Sequence, residues 1–552
     1  MRSKPKHPRP WSVELSSDFD TGAGIQLRSP EPGVVTFLAP WDSSPLPMWF
    51  HFCIRGAKGW TVRFVLMNAN RCLGGESSYA NLRVRPVVTD DPPTMRPSER
   101  RWRRIPKKDL SHNSTTGQFS FSARIGSDEA YVAHCFPYGL AEWQELVSDF
   151  SRNRCLIPGI IGKTAMGRAI PHARITEGPA RGKKVIWLTA RHHSGETPGS
   201  WALEGTLRWL LSDDRRARDL RSRYRFRVVP FADLDGVIEG YYGKERAPLD
   251  FNRAYIEDTP RPEVGHILRE VLAMGARNLA FFDYHAPGAG GPHQVFLKEH
   301  RLGREYGQAL VDLSPRRSRL DPKDVEEPRY MGDESETTST GGVYLATGIL
   351  TITNEVSYAL TRDDRVLTRV EYLAYGASIG KAIHKVLTAH TDAIDAGGFV
   401  EQPDHRLPFP EYEGTAFRGG FQWVPAVNVR FSSEKEKREE ILRMNFLKKD
   451  SSVHLACPRM RMGKRKTLLL AWRFSPRSQK GALQARVTIF YYGPRGLRYR
   501  RDQKVSIAIG RTAKWQAYTI RLDPPKGTQT VRASMRISGG RGRFDLRAPA
   551  AK

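Results

Sequence analysis

One stretch constrains this chain more than any other: residues 185–211 read VIWLTARHHSGETPGSWALEGTLRWLL. Its first six residues form an apolar run, rich enough in β-branched and aromatic side chains to be a buried strand. Thr197 and Pro198 mark a helix start, since proline suits the first turn and threonine can cap it. Trp201, Leu203, Leu207, Leu210 and Leu211 then keep a helical period as far as Ser212. Between strand and helix, H-S-G-E sets His193 and Glu196 on one tight turn at the carboxyl edge of a sheet, where open α/β sheets bind their ligands. An imidazole and a carboxylate three residues apart can share one Zn²⁺, given a third protein ligand and an open position for water. Alone, H-x-x-E is more often a solvated turn than a metal site.

Two later strand ends change that balance. NLAFFDYHAPG (278–288) is an apolar strand ending in His285 before a Pro/Gly loop, and GILTITNEVSY (348–358) puts Glu355 at the end of a β-branched run. A single such residue is usually a surface group. Three strand ends, each with a residue type that a zinc hydrolase needs, are better explained by a shared site.

At these residues the chain resembles the zinc metallocarboxypeptidases, and within them the cytosolic carboxypeptidase-like branch. HSGETPGSW is similar to that branch's H-P-G-E turn followed by Ser-Trp. LDGVIEGYYGKERAPLDFNR is similar to its N-P-D-G-V segment leading to D-x-N-R, and Asp283-Tyr284-His285 to its D-Y-H strand end. Upstream, SSDFDTGAG, PMWFHFCIRG, RWRRIP and AYVAHCFPYG look like the branch's amino-terminal β-domain, so the likeness runs over roughly 11–391. The resemblance implies Zn²⁺ held by His193, Glu196 and His285, with Glu355 as general base. It implies that Asp250 accepts the free ring N–H of His193. It also implies that Asn252 and Arg253 bind the terminal carboxylate of a substrate, a task suited to a guanidinium fork. A carboxylate clamp beside zinc marks an exopeptidase, and the sequence has no H-E-x-x-H of the common endopeptidases. Two departures stand out. Ser194 replaces the proline of H-P-G-E, and Gly243 lies where the branch has an arginine that donates to the scissile carbonyl. Lys244 and Arg246 are the candidate replacements, Lys244 being favoured because a small backbone shift would redirect it.

The 552 residues suffice for three or four domains. Residues 1–150 read as short alternating strands, the pattern of a β-sandwich, with Trp60, Trp102 and Phe136 as core. Residues 155–398 alternate strand and helix, which predicts a mixed-sheet α/β catalytic domain. Helices are expected at 141–152, 262–274, 298–313 and 367–391, and a strand at 223–231. Residues 314–342 are charged and weakly patterned, a candidate lid in which Tyr330 is a substrate-capping phenol or an ordinary loop residue. A Pro-rich linker at 399–414 leads to a second all-β region, 415–552, resembling jelly-roll modules of the carbohydrate-binding type, which serve either as binding domains or as structural appendages.

Hydrophobic residues make up 39% and the mean hydropathy is −0.51, so a globular protein without a membrane span is expected. MRSKPKHPRPW is basic but lacks an apolar core, which favours a cytoplasmic protein over a secreted one. The five cysteines, Cys53, Cys72, Cys135, Cys155 and Cys457, have no metal spacing and read as core thiols. The formal charge is +29, and residues 441–552 hold 27 Lys and Arg against 4 Asp and Glu. Either a polyanionic partner or an arginine-rich solvated surface accounts for this excess. Three functions remain open. The first is a zinc carboxypeptidase acting on a peptide or protein C-terminus, with glutamate as one residue it would release. The second is a zinc amidase or esterase on a non-peptide substrate, for which the missing arginine leaves room. The third is an inactive hydrolase domain docking on a polyanion, against which the retained ligands and Glu355 speak.

Overall fold

The structure is a computed structural model. It describes residues 11–397 except 43, 73–74, 299 and 327–334. Beyond them it describes 422–427, 429–436, 439–446, 452–456, 460–462, 466–476, 483–509, 512–539, 542–547 and 550–551. Tyr330, Cys457 and the expected linker lie outside the described residues. The chain divides into two compact units. One comprises 1–254, 260–328 and 349–400; the other comprises 255–259, 329–348 and 401–552.

The first unit begins with two five-stranded sheets. One runs Glu14–Ser16, His51–Arg55, Glu129–Ala133, Val87–Thr89 and Arg103–Arg104; the other runs Ile25–Gln26, Val34–Leu38, Thr61–Leu66, Gln118–Arg124 and Leu110–Asn113. Alternation decides which face is buried. In Gln118–Arg124 the residues Phe119, Phe121 and Ala123 point inward and the intervening residues are half-buried or exposed. Phe37 of the second sheet meets Phe52 of the first edge-to-face at 4.9 Å, and Phe64 stacks on Phe121 at 5.1 Å. Burying each such ring contributes about 1.5–3 kcal/mol. Phe136 is buried, and Trp60 and Trp102 pack half-buried against the same core.

The rest of this unit is built on an eight-stranded mixed sheet. Its elements are β1 (Leu156–Lys163), β2 (Ala169–Ile175), β3 (Lys184–Ala190), α1 (Thr197–Leu210), β4 (Tyr224–Val229), α2 (Pro262–Met274), β5 (Asn278–His285), β6 (Gln294–Leu297), β7 (Val325–Glu326), β8 (Leu350–Glu355) and α3 (Arg369–Ala389). The strand order is β1-β2-β4-β3-β5-β8-β6-β7. β4, β3, β5 and β8 are parallel, and β5 is buried at every residue, as a strand covered on both faces must be. The parallel centre sends the ends of β3, β5 and β8 to one edge. The expected strand at 223–231 and the helices at 262–274, 298–313 and 367–391 appear as β4, α2, Arg301–Leu313 and α3. Inside the charged, weakly patterned stretch 314–342 the structure has an element that the sequence did not signal. A capped helix, Ser339–Thr347, begins inside it, with Thr338 accepting from Gly341 N. Its Gly341-Gly342 pair hid the helical period.

The amino-terminal sheets are tied to this domain by buried polar contacts. The Arg104 guanidinium lies 4.4 Å from the Phe136 ring centre and donates to the carbonyl of Tyr358 and the hydroxyl of Tyr372, both at 2.7 Å.

The second unit holds two six-stranded antiparallel sheets. One centres on Leu483–Tyr492 and Thr530–Ser538, the other on Thr467–Pro476 and Gly542–Arg547. Their core includes Val487, Ile489, Phe474, Phe544 and Leu546. Segments from earlier in the chain complete this unit. Buried Glu336 pairs with Arg532 at 3.0 Å and accepts from the Tyr492 hydroxyl at 2.6 Å, and Glu257 is forked by Arg495. No helix among the described residues is long and apolar enough to cross a membrane.

Candidate metal centre

The turn after β3 owes its shape to Arg191, which adopts a left-handed φ of 61°. A non-glycine residue holds that conformation only where its surroundings over-determine it. Here the side chain is fully buried. Its guanidinium donates to the carbonyl of Ser194 through both Nε and Nη2, to Tyr138 O at 2.7 Å and to Ser200 Oγ at 3.2 Å. The chain is thereby folded back so that His193 and Glu196 face inward.

Glu196, rather than Thr197, is the N-cap of α1, with Pro198 in the first turn. Its side chain makes no capping bond. Instead Oε1 lies 2.8 Å from His193 Nδ1, and Oε2 lies 2.8 Å from His285 Nδ1 and 3.0 Å from the amide of Ala286. The helix terminus favours a negative charge at this position. His285 ends β5, in register with Glu355 at the end of β8.

The opposite nitrogens of both imidazoles rest on carboxylates. His193 Nε2 is 3.2 Å from Asp250 Oδ1, and His285 Nε2 is 2.8 Å from Asp283 Oδ2. Each Nδ1 is therefore directed to the common centre. Donor atoms of His193, Glu196 and His285 all lie within 4.8 Å of one another, and all three residues are buried. Two imidazoles and a carboxylate, with carboxylates behind both rings, are the donor set and outer support of a catalytic zinc site. The residues fit the metal.

His192, Asp283 and His285 also converge. Asp283 is the less suitable ligand. Its Oδ1 takes the Thr189 hydroxyl at 2.8 Å and His192 Nδ1 at 3.0 Å, and its Oδ2 takes His285. It acts as an orienting group. Asp283 was missed as a candidate, although two residues' separation from His285 on one strand puts both on the same face.

Charges reinforce the cluster. Burial pushes the Glu196 carboxyl up, but the adjacent His193 and His285 outweigh it and hold the group well below the usual carboxylate range. Asp250 follows the same pattern: burial is opposed and overcome, chiefly by His193. Glu355 goes the other way. Burial raises it, as does Glu196, against the attraction of His285, Lys244 and His193. Its Oε2 is shielded and takes no hydrogen bond.

Asp250 also caps the short turn Phe251–Arg253, accepting from Asn252 N at 2.7 Å, and so sets Asn252 and Arg253 beside the cluster. The structure separates the two candidate cations. Arg246 forks onto buried Asp233, at 3.1 and 3.0 Å, with its guanidinium over the Tyr241 ring at 4.6 Å. Lys244 is half-buried, and its charge reaches Glu355. Gly243 has φ 85°, and a Cβ there would stand 2.5 Å from Ser194 Oγ and 2.7 Å from Ser194 N. No side chain fits at this position. The two departures from the branch's motifs are thus one contact. Tyr242 was not a candidate; its buried phenol has no hydrogen-bond partner, and its ring lies against Gly195.

The family model described as zinc carboxypeptidase matches residues 143–257. Cytosolic carboxypeptidase 2 of Danio rerio is 28% identical over 226 residues, covering 38% of this chain and 31% of that protein. Cytosolic carboxypeptidase 1 of Gallus gallus is 27% identical over 328 residues, covering 52% of this chain and 26% of that protein. The chain thus spans about a quarter to a third of the length of these relatives. The crystal structure of a metallo-carboxypeptidase from Burkholderia cenocepacia superposes with a TM-score of 0.58 at 20% identity, covering 69% of this chain and all of that one. A metallo-carboxypeptidase from Pseudomonas aeruginosa gives 0.57 at 20% identity, covering 68% and 99%. These two show a shared fold.

Proposed function

We propose that this chain, which carries a zinc carboxypeptidase domain, is a metallocarboxypeptidase that hydrolyses the last peptide bond of a peptide or protein. The observation that carries the proposal is the convergence of His193, Glu196 and His285 beside an unpaired, shielded oxygen of Glu355. Zn²⁺ in the cluster supplies a Lewis acid and lowers the pKa of a water. Glu355 takes a proton from the attacking water and later delivers it to the leaving amine. Asp250 keeps His193 in the tautomer that presents Nδ1. Asn252 and Arg253 hold the terminal carboxylate, and Lys244 donates to the carbonyl oxygen as negative charge develops there.

The same proposal takes residues 1–150, 155–398 and 415–552 as three domains: a β-sandwich, the catalytic domain and a basic jelly roll. Face-to-face packing of the first two sheets and the all-antiparallel pairing of the last two support it. A cytoplasmic location is proposed from the likeness to proteins named cytosolic carboxypeptidases. The basic excess of the last domain supports contact with a polyanion, or with an acidic carbohydrate.

The test is a peptide library with varied terminal residues, glutamate included, assayed alongside metal analysis. Near-stoichiometric zinc and release of one free amino acid are expected, with zinc lost in His193→Ala. Retention of zinc in both His193→Ala and His285→Ala would overturn the ligand assignment. The absent side chain at Gly243 favours one second reading, a zinc amidase or esterase; turnover of amide or ester substrates with no amino acid released from any peptide would select it.

A further inference from the structure

We propose that the catalytic domain carries a second ligand site, an anion pocket built for a small phosphate ester, on the face of β1, β2 and β4 beneath the end of α2. A cavity of about 380 Å³ lies there. Its floor and rim hold four arginines, Arg174, Arg225, Arg227 and Arg277, with His172. The sheet gathers them. Arg225 and Arg227 alternate onto one face of β4, and Arg174 on β2 is the register partner of Arg227. Arg227 also stacks over Trp187 of β3 at 4.8 Å.

One carboxylate answers this charge, Glu270 of α2, 2.7 Å from Arg227. Among the described residues no ion pair is made by Arg174, Arg225 or Arg277. Arg225 Nε is shielded from solvent without a hydrogen-bond partner, and its terminal nitrogen meets only the weak acceptor Met274 Sδ at 3.1 Å. His172 accepts from Arg227 Nε at 3.2 Å, and its buried ring, pushed down to about 3 by burial and by Arg227 and Arg174, stays neutral, with Nδ1 left as a donor. Guanidinium groups crowded together, one with a shielded donor lacking an oxygen, match the bidentate geometry of phosphate. They gather at one spot rather than along a groove, which favours a compact multivalent anion over a polymer. Ile157 and Ile160, 41% and 66% exposed, form an apolar rim suited to the organic part of an ester.

The pocket is separate from the histidine cluster. Arg225 pairs with Val185 at the start of β3, about 16 Å of strand before Ala190 and the turn that follows it.

Isothermal titration of the full chain with sodium diphosphate tests the proposal, using the rim double variant Arg174→Ala/Arg277→Ala and the floor variant Arg225→Met. Melting temperatures confirm that each is folded; the rim residues are exposed, so that variant keeps the test intact if Arg225→Met does not fold. One saturable site is expected, weakened at least tenfold in each folded variant, with sodium malonate binding at least tenfold more weakly than diphosphate. Undiminished diphosphate affinity in the rim variant, no saturation at millimolar diphosphate, or equal affinity for malonate would each overturn the proposal. A single-stranded oligonucleotide that binds more tightly than diphosphate and depends on the same arginines would overturn the small-ligand assignment.

Discussion

Glu355 combines a shielded, unpaired oxygen with a carboxyl that burial raises toward neutrality, which suits a group that must both accept and return a proton. Glu355→Gln keeps size and leaves the metal ligands alone. It is expected to retain zinc yet lose about 10²-fold or more in kcat, measured by single turnover with metal analysis on the same sample. Lys244→Ala is expected to lower kcat with little change in KM, since a lost oxyanion donor costs about 3–4 kcal/mol; wild-type turnover would remove Lys244 from the chemistry. Arg246→Ala should instead lower the melting temperature, because it strands the fully buried Asp233 without its cation. Where these residues lie was only partly legible in the sequence. Strand ends of a parallel sheet share an edge, so His193, Glu196, His285 and Glu355 could be grouped from hydrophobic runs alone. The partners of Arg246 and His192 could not. Asp233 and Asp283 meet them through contacts between separate elements, and a charged residue in a G-K-E-R loop carries no mark of the carboxylate it will find.

α1 and α3 cross at backbone distance. A Cβ on Gly205 would stand 2.2 Å from the carbonyl oxygen of Leu373, and one on Gly376 would stand 1.9 Å from that of Ala202. Thr206 Oγ1 donates to Gly376 O at 2.7 Å across the same crossing. The crossing holds α1 in place, and α1 carries Glu196 at its start. Gly376→Ala gains helix propensity but must push the helices apart, and overpacking costs typically about 1–3 kcal/mol or more. Thermal denaturation should therefore show a lower melting temperature, by about 2–4 °C for each kcal/mol lost. An unchanged or higher value would mean the crossing relaxes freely. The helices themselves were readable from their 3.6-residue period. The crossing was not, because two glycines in separate helices identify each other only once the helices are packed.

Across the first unit, burial holds four histidines, His51, His134, His172 and His293, down to about 3. Their folded values lie below that of the unfolded chain, so between about pH 6.5 and 3 the unfolded state binds protons that the folded state refuses. Above about pH 6.5 both states leave these rings neutral and the proton-linked cost vanishes, and stability falls as pH drops below it, by up to about 1.4 kcal/mol per pH unit for each residue. His134 is the clearest case: neither ring nitrogen has a partner, and it packs edge-on against Phe50 and Tyr358. The melting temperature of His134→Phe, relative to wild type, is expected to rise as pH falls from 7.5 to 5; a pH-independent difference would assign the acid sensitivity elsewhere. The make-up of the second unit has a different consequence, one for the order of synthesis on the ribosome. Glu336 emerges 196 residues before Arg532, the cation that neutralises it in the finished protein. At about 5–20 residues per second that interval is roughly 10–40 s. Throughout it, residues 335–348 must wait for strands that do not yet exist. The nascent chain therefore cannot finish this unit from its amino end onward, and a translational stall between the two residues would leave a carboxylate destined for burial still exposed to water.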